Sequence, residues 1–166
     1  MDVSQFPTHV GAIADALQSR AAAAAANAMA TEFHTELTDV TLRASSHPKG
    51  TVTTAQPGQP PALVSGTLRR SARIVPAQAA GPRAVATVGV AAVYARIQEK
   101  GGVINAKRAP FLRFQYPDGS WHTVKSVRLP ARPYMAPTRD ALLAAGRLRA
   151  RASAAIAAIV QGAAGG

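Results

Sequence analysis

Apolar residues recur at mixed three- and four-residue steps from about Thr8 to Leu42. Ile13, Leu17, Ala21, Ala24, Ala28, Phe33 and Leu37 fall near one face. That spacing predicts a long amphipathic helix. Its alanine content reinforces the reading, because alanine loses no side-chain entropy on entering a helix. Thr8, after Pro7, is placed to cap its start. The alanines would let another helix approach closely, or serve simply as good helix formers. The periodicity then stops. Ser45 to Val64 carries Pro48, Gly50, Pro57, Gly58, Pro60 and Pro61 among threonines, the composition of a loop. It is long for an inert connection inside a compact domain, so it reads either as a segment reaching a neighbouring subunit or as a surface loop.

Beyond the loop the pattern alternates between short elements. Gly66 to Ser71 reads as a helical turn, Ala72 to Ala77 as a strand, and Ala84 to Val90 as its partner, with Ala79-Ala80-Gly81-Pro82 turning between them. Ala91 to Lys100 is a short helix stopped by Gly101-Gly102, whose positive φ permits a sharp reversal into Val103-Ile104. Phe111 to Tyr116 and Trp121 to Leu129 predict a hairpin around Pro117-Asp118-Gly119-Ser120. Pro137 to Val160 predicts a final helix anchored by Leu142, Leu143, Leu148, Ile156 and Ile159, with Pro137 in the first turn, where a missing amide donor costs nothing. Gly162 to Gly166 is expected to be a flexible tail. The order predicts an α+β fold. An antiparallel sheet of about four strands would be flanked by a long N-terminal helix, a short middle helix and a C-terminal helix, in a single domain covering residues 1–166.

Composition narrows this picture. Aromatics make up only 5%, so the core must rest on Ala, Val, Leu and Ile. The absence of cysteine excludes disulfides and thiolate metal sites. No apolar run approaches the roughly 20 residues that span a bilayer, so no membrane partner is expected. Met1 to Gln5 lacks the basic and apolar pattern of a signal peptide, so the chain is expected to stay where it is made. The net charge of +11 is uneven. Residues 1–40 hold one basic and five acidic side chains, a net −4, whereas residues 41–166 hold 18 basic and three acidic, a net +15. Such a surplus suits polyanionic partners, either DNA or acidic protein surfaces.

Catalytic constellations are not evident. His9 and His34 lie roughly 37 Å apart on the predicted helix at 1.5 Å per residue, and His47 and His122 show no metal-ligand spacing. Glycine-rich phosphate loops and a GxSxG motif are missing, and only Glu99, Asp118 and Asp140 supply carboxylates after residue 40. The expectation is a protein that is not an enzyme and uses no cofactor or metal.

Three blocks stand out: Gly66-Thr67-Leu68-Arg69-Arg70-Ser71; Tyr94-Ala95-Arg96-Ile97-Gln98-Glu99-Lys100-Gly101-Gly102-Val103-Ile104; and Leu129-Pro130-Ala131-Arg132-Pro133-Tyr134-Met135-Ala136-Pro137. Together and in this order, across about residues 58 to 160, they resemble the tail-completion, or head–tail joining, proteins of long-tailed bacteriophages. The resemblance implies a structural virion protein that forms a ring at the neck, six-fold if it follows the tail's symmetry. Its partners would be the tail tube or terminator and the head connector or stopper, and it would assemble in the host cytoplasm. A tail terminator or minor tail protein is the near alternative. A small basic nucleic-acid-binding protein is the alternative of another class.

The residues themselves suggest roles. Tyr94 and Ile97 share a helix face and would pack on the sheet. Glu99 sits near a helix C-terminus, where the dipole disfavours negative charge, so it calls for a cation: Arg132, Arg70 or an arginine of the next subunit. Pro130 and Pro133 stiffen the bridge to the final helix and aim Arg132, whose fork suits a carboxylate. Tyr134 and Met135 would seat the start of that helix on the core. Arg69, Arg70, Tyr94, Glu99 and Arg132 are the candidate interface residues. Arg69 and Arg70, with Arg73, Lys107, Arg108 and Arg113, are candidates for a positive surface lining a channel or docking face, where passing DNA would be held through phosphates. Phe111, Phe114 and Tyr116 alternate, and core packing is the expected use of Phe114 and Tyr116, ahead of base stacking. Arg147, Arg149 and Arg151 read as the wet face of a helix.

Overall fold

The structure, a computed structural model, describes residues 6–53 and 55–164, with side chains described from Val10 onward. The chain is α+β, as expected. In order it forms α1 (Phe6–Thr35), a π-helical turn (Glu36–Val40), a 3-10 turn (Thr41–Arg43), α2 (Thr67–Arg70), β1 (Ala72–Val75), β2 (Thr87–Val90) and α3 (Ala95–Lys100). Then follow β3 (Gly102–Asn105), β4 (Leu112–Gln115), β5 (Trp121–Val124), β6 (Ser126–Leu129), α4 (Met135–Ala144) and α5 (Arg147–Ala164). The strands form three two-stranded ribbons, β1 with β2, β3 with β6 and β4 with β5, instead of one sheet. Two compact units result. One comprises residues 1–34, 73–89 and 141–166, and the other residues 35–72 and 90–140.

In the first unit, α1 begins at Phe6, so Thr8 lies within its first turn and not ahead of it; the Thr8 side chain is outside the described residues. Ala23, Ala25, Ala26 and Ala30 are the buried positions, while Ile13, expected on the core face, is 57% exposed. The run Ala21–Ala26 has no polar contrast from which a face could be read. Two polar anchors mark the inward side instead. The Asn27 side chain donates to the Ala77 carbonyl (3.1 Å) and accepts from the Ala77 amide (2.7 Å). Glu32, itself buried, receives Arg147 Nε on Oε1 (2.8 Å) and Arg151 Nε on Oε2 (2.7 Å). Arg147 and Arg151 are therefore not merely a wet helix face.

The predicted final helix is two helices. Gly146 adopts φ +65, its amide donates to the Leu143 carbonyl (3.0 Å), and its carbonyl accepts from Ala150 (3.0 Å). A left-handed glycine ends α4 in this way, and the same residue opens α5. Leu142 is buried, but Leu143 and Ile156 are exposed and α5 has no buried residue. α5 continues to Ala164, through part of the expected tail; Gly165 and Gly166 lie outside the described residues.

In the second unit, Leu37, Leu42, Leu68, Ala95 and Tyr134 are buried. The proline-rich loop is tied down. His47 N donates to the Leu63 carbonyl (2.9 Å), Leu63 N to the Ser45 carbonyl (2.7 Å), and Gly58 N to the Ala131 carbonyl (3.0 Å). The four strands of this unit are one nested antiparallel excursion. Gly102 pairs with Leu129 and Asn105 with Ser126; further out, Leu112 pairs with Val124 and Gln115 with Trp121. Six residues (106–111) on the outgoing side face only Lys125 on the return. A bulge of that size breaks the ladder, and Pro110 within it has no amide to donate. This is why the expected strand Trp121–Leu129 is two strands, and why Val103-Ile104 becomes a strand of its own.

Candidate functional site: a carboxylate-capped junction

Gly101 ends α3 with φ +68. A Cβ built there would lie 2.7 Å from Ala131 N, 2.9 Å from Leu129 O and 3.1 Å from Pro130 C, all backbone atoms. Only glycine permits so close an approach in this conformation. The approach brings the end of α3 against the Pro130–Pro133 bridge, and Arg132 N donates to the Gln98 carbonyl (2.7 Å).

Glu99 is thereby aimed at the start of α4. Its Oε2 accepts from the amides of Tyr134 (2.7 Å) and Met135 (3.0 Å), and its Oε1 accepts from Ala136 (3.3 Å). Pro137, next in line, has no amide to satisfy. One carboxylate thus serves the orphan donors of a helix N-terminus, where the macrodipole favours negative charge. Glu99 was expected to seek an arginine; its partner is the peptide backbone. Arg132 was expected to meet a carboxylate; its Nε donates to the Ala55 carbonyl (3.0 Å) and so holds the proline-rich loop.

Tyr134 completes the junction. It is 2% exposed, its hydroxyl donates to the Ala95 carbonyl (3.1 Å), and its carbonyl accepts from Thr138 Oγ1 (2.6 Å). Burial, with the nearby Glu99 and Tyr94, pushes its phenol up to about 12. The side chain anchors the fold, as expected for the helix seat.

Arg69, Tyr94 and Arg132 line one cavity of about 310 Å³, with Leu68, Leu129 and Gln98. Gln98 Oε1 is buried with no hydrogen-bond partner among the described residues. Arg69 is held by the Thr38 carbonyl (2.7 Å) and Asp39 (2.8 Å), and its guanidinium keeps the Asp39 carboxyl below the usual range. Four of the five candidate interface residues therefore gather at or beside the junction. Arg70 is exposed on α2. The basic candidates divide: Lys107 and Arg108 are exposed in the bulge and Arg113 on β4, whereas Arg73 belongs to the other unit.

At the hairpin tip, Ser120 Oγ donates to Asp118 Oδ1 (2.6 Å) and shares a hydrogen bond with His122 Nε2 (3.0 Å). These residue types match a hydrolase triad, but the order does not. In a triad the histidine stands between serine and carboxylate and takes the serine's proton. Here the carboxylate takes the hydroxyl directly, which lowers the Asp118 pKa and fixes the turn. Among the described residues no group of three or more His, Asp or Glu side chains is placed to hold a metal. No described helix is long and apolar enough to cross a membrane.

The sequence reading missed Trp121, the chain's single tryptophan, which is 58% exposed with the Arg113 guanidinium 4.7 Å from its ring centre. Phe114 and Tyr116, expected in a core, instead cluster with His122 on a ribbon with no buried residue. Compared with protein-family models, curated proteins and solved structures, the chain has no match in any of the three.

Proposed function

We propose that the chain is a structural virion protein of a tailed bacteriophage: a tail-completion or neck protein that forms a ring at the head-proximal end of the tail and joins the tail to the head connector. One observation supports this reading beyond the sequence resemblance. The second and third blocks that carry it meet in one junction, through Glu99 with Tyr134, Met135 and Ala136 and through Gly101 with the Leu129–Ala131 backbone. The first block joins them at the cavity through Arg69. Residues set apart in sequence are thus used together, as expected of a shared architecture. The work is interface formation, with no catalytic step. Six copies would repeat the basic surface around a ring.

Electron microscopy of particles made without this gene tests the reading. Filled heads beside unattached tails are the expected result. Tails of abnormal length would move the assignment to a terminator, and normal infectious virions would overturn both.

A further inference from the structure

The β4–β5 ribbon and the bulge that leads to it form an arm whose chemistry the junction does not use. Residues 106–128 hold five basic side chains (Lys107, Arg108, Arg113, Lys125 and Arg128) and one acidic, Asp118. None of the five basic groups is in an ion pair among the described residues. The same stretch holds four of the chain's eight aromatics, and three of these are exposed: Phe111 (48%), Tyr116 (44%) and Trp121 (58%). A lone two-stranded ribbon is marginal in water, and this one has no fully buried residue. Large aromatics left on one are a cost unless something covers them.

A second copy of the chain has little to offer this arm. Among the described residues, Glu32 is held by Arg147 and Arg151, Asp39 by Arg69, Glu99 by the α4 amides, Asp118 by Ser120 and Asp140 by Arg139. Aromatics and arginine also occur at protein interfaces, but five cations against a single carboxylate call for a partner with a regular row of negative charges. Single-stranded nucleic acid supplies both requirements at once, phosphates for the cations and open base faces for the rings.

We propose that the Lys107–Arg128 arm binds single-stranded nucleic acid without sequence readout, its cations on phosphates and its exposed rings against bases, Tyr116 on one face of the ribbon, Trp121 on the other and Phe111 at its base. This goes beyond the neck reading and does not rest on it. The test uses the purified full chain and no virion, so its outcome is separate from that of the joining experiment.

Trp121, as the single tryptophan, reports directly on the arm. Titration with a 20-nucleotide oligo-dT is expected to quench its fluorescence saturably. A dye-labelled oligo-dT should show anisotropy rising in step, with log affinity falling against log salt at a slope of about −3.5 if five phosphates are met. Phe111→Ala with Tyr116→Ala should weaken binding about tenfold or more, and K107Q with R108Q should flatten the slope by about 1.4. Melting curves should be unchanged in both variants, since these side chains are exposed. No quenching at low salt would overturn the proposal. So would duplex DNA binding as tightly as oligo-dT with the aromatic variant unimpaired, which would leave phosphate attraction alone. Polyglutamate competing as well as oligo-dT would point instead to an acidic protein surface.

Discussion

The junction and the arm lie in the same unit and are built on opposite principles. At the junction the carboxylate, the phenol and the glycine each have a geometric reason. Glu99 faces three amides, the Tyr134 hydroxyl faces a carbonyl, and Gly101 vacates the space a side chain would fill. On the arm, apart from the Asp118–Ser120–His122 turn, the charged groups are cations without an ion-pair partner among the described residues, and Phe111, Tyr116 and Trp121 are left in solvent. The first arrangement spends its chemistry inside the chain, whereas the second keeps its chemistry for something outside. Substitutions should separate the two sharply, with stability lost at one and binding lost at the other.

The largest expected effect is at Tyr134. Replacing this buried ring by alanine removes packing and leaves the Ala95 carbonyl without its donor, so Tyr134→Ala should cost about 3–5 kcal/mol in a denaturant titration. Gly101→Ala combines a left-handed backbone with backbone clashes below 3 Å at two atoms, and should cost about 3 kcal/mol. Glu99→Gln keeps the shape but removes the charge from the α4 N-terminus, and should cost about 1–2 kcal/mol by the same measurement. The arm should give the smallest value: Trp121→Ala is expected to change stability by no more than about 0.5 kcal/mol, as for other surface sites. A large loss there would erase the contrast.

Acid and base sharpen the comparison. The Arg151 and Arg147 guanidiniums hold Glu32 below its ordinary 4.5. A carboxylate whose folded pKa is depressed contributes stability above its unfolded pKa and loses it as the pH falls through the folded one. Stability should therefore decline below about pH 4.5, and Glu32→Gln should lower the melting temperature at pH 7 while flattening that decline. Tyr134 has the opposite sign. Its phenol is raised from 10.0 to about 12, so its contribution is complete below pH 10 and is lost as the pH rises toward 12. Tyr134→Phe should remove that alkaline loss, as read by thermal melts across the range.

Much of the fold was legible because turns carry local chemistry. Gly81, Gly101 and the Pro117–Ser120 sequence each marked a reversal that the structure contains, and the α+β order followed from them. The inward face of α1 was not legible, since alanine on every side leaves no contrast and the marking contacts are two polar side chains, Asn27 on the Ala77 backbone and Glu32 on Arg147 and Arg151. The break at Gly146 was hidden in an alanine-rich context that favours helix on both sides. Glu99 could be singled out but its partner could not, because backbone amides leave no mark in a sequence. The arm misled for a related reason. Alternating apolar residues read alike whether or not anything packs on them, so the pattern at Phe114 and Tyr116 said strand but not core.

Native-state hydrogen exchange, followed residue by residue, tests the contrast most directly. The account predicts that the amides of Tyr134, Met135 and Ala136 exchange only through openings close to global unfolding and lose much of that protection in Glu99→Gln. The β4–β5 amides should exchange through far cheaper local openings, with no response to that substitution. Equal protection in the two regions, or junction amides indifferent to Glu99, would contradict it.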